Sequence, residues 1–435
     1  MINNTADRLF TSIPSFEGVR GSVMDKTRGD KYIWGIVIIL AITSVLVVYS
    51  ATGSLAYKKN HGNVEVYLFK QLAFMISGMF IIYFLHRVNY TVFSKLAAIF
   101  LVISIPLLIY TLAFGAKINE GTRWIKVPII NLTIQTSDFA KIALFMYLSR
   151  VLSKKQDVIK DFKKGFLPAI IPVMIVCALI MPANLSNALL TGATSLLLMF
   201  IGRVSLKHIF LTICVAMVPI ILIISLAVLT NKPKTVDDEN KKEAISDKLT
   251  GMGRLGAWVK RTQDFIYGSN QDIPYQVQQA KMAIANGGIL FGLGPGNSIA
   301  RNYLPQAYND FIFAIIIEEY GLIGGAFIIF IYMLFLFRGI RIFRKCPYAF
   351  GAFLALALSF TLAIQAIANM AVNVNLVPVT GVTLPLISMG GSSFLFTCAA
   401  IGIILSVARN VEQAESKPME PAVVVPQTNT NPVNE

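Results

Sequence analysis

A chain of 435 residues that is 55% hydrophobic and only 14% charged, with a mean hydropathy of +0.65, is not a soluble globular protein. Several of its apolar runs reach the roughly 20 residues that a spanning helix needs. The net charge of +15 does not mark a nucleic-acid binder, because the basic residues cluster in short loops between apolar runs, where the positive-inside rule puts them.

The composition therefore predicts an all-α polytopic membrane protein. Residues 1–32 are polar and mixed in charge, with no short apolar core leading to a small-residue cleavage site; no removable signal peptide is expected, and the first span acts as an anchor. The hydropathy pattern predicts ten spans, at about 33–52, 68–87, 94–115, 138–152, 166–182, 186–203, 207–230, 311–337, 350–372 and 384–408, within a membrane domain over 33–409. Strongly basic loops carry Arg150, Lys154, Lys155, Lys160, Lys163 and Lys164, then Arg203 with Lys207, then Arg338, Arg341, Arg344 and Lys345. All fall on one side by alternation, so that side is cytoplasmic. An even span count places both termini there, and puts the long loop 231–310, between the seventh and eighth helices, outside. Lys58, Lys59 and Lys70 run weakly against this orientation. Cys177, Cys214, Cys346 and Cys398 form no CxxC and have no histidine nearby, which indicates neither a disulfide framework nor a zinc site.

Two parts make up the outer loop. Residues 231–250 are charged, lack aromatics and read as mobile. From Arg254 onward, Trp258, Phe265, Tyr267 and Tyr275 alternate with Lys260, Arg261, Lys281 and Arg301, a mixture suited to lipid head groups. Gln276, Gln279 and Lys281 fall on an amphipathic segment, which Gly287, Gly288, Gly292, Gly294 and Gly296 then break. Such a glycine run serves tight turns, close backbone approach to a ligand, or a loop folded back for packing. The tail, 410–435, is rich in proline and asparagine and is expected to be disordered.

The stretch Asn297–Gly321 organises the chain. Asp310 stands where this polar, turn-rich loop becomes an apolar run, and Glu318 and Glu319 follow inside that run. Intramembrane acids are costly and count as functional candidates. A helix starting at Asp310, at ~1.5 Å and ~100° per residue, puts Glu318 about 12 Å deeper and about 80° round, with Glu319 on the opposite side.

Two motifs carry more than composition does. NYLPQAYNDFIFAIIIEEYG (302–321) together with PVTGVTLPLISMGGSSF (378–394) resembles the shape, elongation, division and sporulation (SEDS) family of bacterial cell-wall polymerases, the FtsW, RodA and SpoVE proteins. GTRWI (121–125), QTSDFAKIAL (135–144) and YQVQQAKMAIANGGILFGLGPGNS (275–298) extend the resemblance over most of the chain, and VTLPLIS (382–388) leans towards the FtsW branch. The resemblance implies a ten-helix membrane fold and polymerisation of lipid II, an undecaprenyl-pyrophosphate disaccharide pentapeptide, outside the cytoplasmic (inner) membrane. It also implies a class B penicillin-binding protein transpeptidase as partner, among other divisome or elongasome membrane proteins. Asp310 matches the family's essential acid. The sequence departs from the family at four places: Tyr308 and Asn309 replace the usual His-Thr, Gln135–Asp138 replaces Gln-Pro-Ser-Glu, the segment around Asn184 is neutral, and Met389 replaces a common tyrosine.

Glycoside hydrolysis usually needs two carboxylates because a sugar alkoxide is a poor leaving group. A diphosphate leaves as a stable anion once its charge is screened, so one general base on the incoming hydroxyl suffices, and Asp310 is that base. The cationic candidates for the diphosphate are Arg123, Arg261 and Lys141, with a divalent cation (Mg or Mn) as the alternative and no protein metal site assigned. Arg123, beside Trp124, is equally well an interfacial anchor. Asp138 and Lys141, at i and i+3, form an internal ion pair that shapes the cavity, which Glu318 joins. Gln276 and Asn297 are candidates for sugar contacts. Ser388, Gly390, Gly391 and Ser392 form a helix-entry turn whose backbone N–H groups suit either an anion or tight helix packing. A lipid II flippase and a non-catalytic divisome scaffold stand as alternatives; the first makes the buried charges matter more than Asp310, and the second leaves Asp310 dispensable.

Overall fold

The computed structural model describes residues 29–53, 65–118, 121–127, 132–230, 256, 258, 259, 261, 262 and 274–415. Ten helices stand at the ten predicted span positions: α1 Lys31–Ala51, α2 Glu65–Arg87, α3 Tyr90–Phe114, α4 Thr136–Lys154, α5 Leu167–Ile180, α6 Leu185–Ile201, α7 Leu206–Thr230, and, beyond an extra helix α8 Tyr275–Gly287, α9 Ile312–Lys345, α10 Ala349–Asn373 and α11 Ser392–Glu415. Eight of the ten are long and apolar enough to cross a membrane, α5 being counted with the preceding π-helical turn as Phe162–Ile180. The other two are α4, which carries Asp138, Lys141, Arg150 and Lys154, and α6, whose 17 residues stand at the lower limit for a crossing.

Polar residues set the helix starts. Asp30 accepts from the amides of Tyr32 at 3.0 Å and Ile33 at 3.3 Å, Asn89 from Thr91 at 3.1 Å and Asn184 from Asn187 at 3.2 Å, each satisfying N–H groups that have no intrahelical partner. Three expectations are corrected. The loop between α3 and α4 forms a three-stranded antiparallel sheet, β1 Ala116–Ile118, β2 Gly121–Val127 and β3 Leu132–Gln135. The last helix begins at Ser392 rather than near residue 384, because Leu386 and Gly391 take positive φ. It also runs on to Glu415, into the segment expected to be disordered. The mobile segment 231–250, the remainder of the tail from 416 and the side chain of Arg123 lie outside the described residues.

Contacts between ends fix the depth of each element. Arg338 pairs with Asp30 at 2.5 Å, both largely buried, and its guanidinium stacks 4.2 Å from the Tyr32 ring. The amide of Gly29 donates to Glu412 at 2.8 Å, so the start of α1 and the end of α11 meet at one end of the bundle. At the other end of α1, the Ser50 hydroxyl donates to Glu319. The 21 residues of α1 are about 31 Å long, the thickness of a bilayer core. Arg338 and Glu319 thus mark where α9 crosses its two edges.

Between those edges α9 is broken. Gly321 has φ 72° and ψ −179°, a region open essentially to glycine alone. The first part, 312–320, folds back beside the second: a methyl at Gly325 would come 2.8 Å from Ile317 Cγ1, although eight residues of unbroken helix span about 12 Å. All eight side chains from Ile312 to Glu319 are buried. Glycine-rich backbone fills the break. The amides of Leu293 and Gly294 donate to the carbonyls of Glu318 and Glu319 at 2.9 and 3.0 Å, and the amides of Leu322 and Ile323 donate to Gly288 and Ile289 at 3.1 and 3.3 Å. Close backbone approach is the use of these glycines, and the neighbour is α9: a Cβ at Gly287 would lie 2.1 Å from the Ile317 carbonyl oxygen, and one at Gly292 2.4 Å from the Glu319 carbonyl carbon.

The fold-back reverses the expected order of depth. Glu319 sits level with Ser50, whereas Asp310 lies further into the bundle, beside the α10–α11 connection. That connection is itself inserted: Ser44, about 9 Å inward of Ser50 along α1, donates to the Ile387 carbonyl at 2.8 Å, and the Tyr332 hydroxyl donates to the Pro385 carbonyl.

Gly321→Ala forces a side chain into a glycine-only conformation and onto the Leu290 carbonyl oxygen, 2.7 Å away, at a cost of about 1–3 kcal/mol for the backbone alone. The expected result is a lower Tm and less monodisperse protein in detergent. Gly35→Ala, where a Cβ meets nothing within 4 Å, should leave both unchanged or improved; equal behaviour of the two variants would dismiss the break as a constraint.

Candidate functional site

Asp310 is half-buried at the mouth of the fold-back helix, and three consecutive carbonyls around it are held. The amide of Met389 donates to the Tyr308 carbonyl at 3.0 Å. Ser388 Oγ donates to the Asn309 carbonyl at 2.6 Å while accepting from the Leu384 amide at 2.9 Å. The Asp310 carbonyl accepts from Asn369 Nδ2 at 2.8 Å and Asn373 Nδ2 at 3.0 Å. Asn369 Nδ2 also reaches the Val382 carbonyl at 2.7 Å, and Asn373 Oδ1 accepts from the Ala314 amide at 3.0 Å, capping the first turn of α9. Buried amides whose donors and acceptors are satisfied make a stiff frame. It fixes the Asp310 backbone from two sides. Burial, followed by the charges of Tyr67 and Asp310, pushes the Tyr308 phenol above its usual range, so it is a neutral hydroxyl next to the acid.

A second cluster lies on the adjoining turns. Lys141 pairs with Asp138 at 2.8 Å, as the i, i+3 spacing predicts. Gln135 Nε2 donates to Ser137 Oγ at 3.0 Å and Asp138 Oδ1 at 3.4 Å, and the Gln135 amide donates to Ser392 Oγ at 3.1 Å. Asp138, Lys141, Gln365, Ser393 and Thr397 line a cavity of about 30 Å³, enough for a water molecule. Gln365 precedes Asn369 by one turn of α10 and donates to the Thr383 carbonyl at 3.0 Å, which joins this cavity wall to the frame around Asp310.

The remaining sequence candidates disperse. Trp124 is half-buried on β2, paired with Gln135 of β3. Arg261 is exposed and its Nη1 lies 3.4 Å from the Val379 carbonyl, over the α10–α11 connection. Gln276 is half-buried on α8, and exposed Asn297 bonds its own loop, Nδ2 to the Leu293 carbonyl at 3.1 Å. Glu318, expected to line the cavity below Asp310, holds the loop above it instead: it is fully buried, accepts from the Ser298 hydroxyl, and lies 3.2 Å from the Ala300 amide. The turn at 388–392 is internally engaged: the Gly390 amide donates to the Ser388 carbonyl at 2.8 Å, and Gly391 takes φ +56°. Sequence reasoning missed Gln365, Asn369 and Asn373. Their signal was present, three amides four residues apart in an otherwise apolar run, one stripe on one helix face.

Together these features define a multi-pass helical membrane protein with one carboxylate on an inserted loop, gripped by an amide stripe. The FtsW/RodA/SpoVE cell cycle protein model matches residues 30–413, and the chain belongs to that family. Among its relatives, the probable peptidoglycan glycosyltransferase FtsW of Trichlorobacter lovleyi is 32% identical over 385 residues, 87% of this chain and 93% of that protein. The FtsW of Bacillus subtilis is 30% identical over 385 residues, covering 88% and 91%, and stage V sporulation protein E of the same organism is 31% identical over 388 residues, covering 88% and 98%. The fold is similar to a chain of a peptidoglycan synthase complex that coordinates polymerization and crosslinking (TM-score 0.63, 22% identity, 88% of this chain and 99% of that one). It is also similar to the rod shape determining protein RodA of Thermus thermophilus (TM-score 0.58, 22% identity, 88% and 97%).

Asn373→Ala removes one of two donors to the Asp310 carbonyl, one donor to the Asn369 carbonyl and one acceptor of the Ala314 amide, at about 0.5–1.5 kcal/mol per hydrogen bond. A drop in Tm of several degrees relative to the exposed control Asn302→Ala is expected in detergent, and no difference would remove Asn373 from the frame. Lys141→Met strands the buried Asp138 carboxylate and should cost about 3–5 kcal/mol. The double variant Lys141→Met, Asp138→Asn recovers most of that loss in the same unfolding measurement if the pair is what holds the cavity.

Proposed function

We propose that this protein is a peptidoglycan glycosyltransferase of bacterial cell division that polymerises lipid II, with Asp310 as the general base. The observation that carries the assignment is the geometry of Asp310: its backbone carbonyl is held by two asparagines, its neighbours' carbonyls by Ser388 and Met389, while the residue itself stays half-exposed. A fixed main chain carrying a half-exposed acid is what a proton acceptor on an incoming hydroxyl requires. Asp310 takes the proton of the acceptor sugar 4-hydroxyl as that oxygen bonds to the donor's anomeric carbon. The bond from that carbon to the diphosphate breaks in the same step, undecaprenyl pyrophosphate leaves with the electron pair, and the anomeric centre inverts.

Counter-charge for the diphosphate comes from Arg261, exposed over the α10–α11 connection, and from Arg123 on β2 next to Trp124. Lys141 contributes only through its pair with Asp138. Mg or Mn is the alternative counter-ion, and polymerisation that persists in a chelator assigns the role to the arginines. Both termini are placed in the cytoplasm, which agrees with the meeting of Gly29 and Glu412 at one end of the bundle and with the basic loops at that end. A class B penicillin-binding protein is the expected transpeptidase partner.

Purified protein, with and without that partner, should convert lipid II into glycan strands, and folded Asp310→Asn should yield none. Equal product from both would take Asp310 out of the chemistry. No product from wild type with its partner, but lipid II transfer across liposomes, would favour the flippase reading.

A further inference from the structure

Residues 282–300 carry no charged side chain, although they belong to a loop that hydropathy alone assigns to the aqueous exterior. The structure shows where their apolar side chains point. Ile289, Leu290 and Phe291 are 73%, 57% and 83% exposed, on the stretch that plugs the break in α9. Directly beside them stand Leu322 and Ile323, 51% and 54% exposed, whose amides bond Gly288 and Ile289. Phe327 and Phe330 extend the same exposed surface down α9 towards the opposite edge of the bilayer. The patch at 289–291 is thus continuous with the exposed apolar face of a membrane-spanning helix.

We propose that the segment Ile289–Leu293 is a membrane-immersed wedge, seated among the acyl chains of the outer leaflet. Depth supports this occupant. The segment bonds residues 318–323 of α9, and Glu319 is level with Ser50 at the outer end of α1; Ile323 lies only two residues, about 3 Å of helix, beyond the break at Gly321. The apex therefore meets the outer edge of the hydrocarbon core. Backbone chemistry agrees, because irregular backbone survives near lipid only where its polar groups are satisfied by protein. The groups at Gly288, Ile289, Leu293 and Gly294 are satisfied by the ladder that Gly321 opens in α9. An exposed apolar patch of this kind on a water-facing loop would be an aggregation liability; against lipid it is an anchor. The wedge also sits at the base of the loop that ends in Asp310, so it fixes how deeply that loop enters the bundle.

The test is nitroxide accessibility in liposomes. A cysteine is placed by Phe291→Cys on a background in which Cys177, Cys214, Cys346 and Cys398 are replaced. Phe327→Cys supplies the lipid reference and Asn302→Cys the water reference. The expected result is oxygen access severalfold above nickel-chelate access at 291, matching 327 and opposite to 302. High nickel access at 291 would overturn the proposal by placing the segment in water. Low access to both reagents would overturn it in favour of a protein cover, a second copy of the chain or a partner helix. Should the cysteine-free background fail to fold, a photoreactive phenylalanine analogue at 291 in the otherwise native chain decides the same question. A phospholipid adduct supports the wedge, while a protein adduct or none rejects it.

Discussion

The structure depends on one backbone conformation. Gly321 occupies a region closed to residues with a Cβ, and there α9 doubles back. A broken helix inside a membrane exposes amides and carbonyls that water cannot reach, and each such group costs several kcal/mol if left alone. The loop 288–294 satisfies them from both sides of the break, which is possible only because Gly287 and Gly292 let backbone touch backbone. The break and the loop are mutually dependent: without the loop the opened ladder is unsatisfied, and without the break the loop has no place near the bilayer.

Everything that distinguishes the outer half of the bundle follows from that interlock. The buried carboxylates Glu318 and Glu319 end the fold-back helix and are answered locally, by Ser298 and Ala300 on one side and by Ser50, with Arg301 beside it, on the other. Two acids that would be prohibitive in an apolar run become ties between α1, α9 and the loop leading to Asp310. From the other direction, the α10–α11 connection inserts to meet the same loop, and the stripe of Gln365, Asn369 and Asn373 binds both. The Asp310 carboxylate is thereby set on main chain that has almost no freedom left.

Pre-organisation of this kind suits a reaction with a good leaving group. A displacement that expels diphosphate needs little from the protein beyond a placed base, screened charge and an aligned acceptor, and the site offers one aligned carboxylate rather than a pair. The departure at Tyr308 fits this reading: where family members often carry an imidazole, this chain places a phenol whose ionisation burial raises further above its ordinary range, so the neighbour of Asp310 carries no charge of its own.

The sequence alone determined the class of the protein, the helix positions to within a few residues for eight of the ten, and the Asp138–Lys141 pair, because hydropathy and i, i+3 spacing are local properties of a chain. It misjudged what depends on how distant segments meet. A straight helix from Asp310 puts Glu318 deeper than the acid, and only the fold-back at Gly321 turns that order over. The sheet Ala116–Gln135, the late end of the α10–α11 connection and the amide stripe's hold on Asp310 are likewise decisions of tertiary structure. Hydrogen bonds between residues tens of positions apart satisfy groups that each segment, taken by itself, leaves open, and no periodicity along the chain announces which partner will close them.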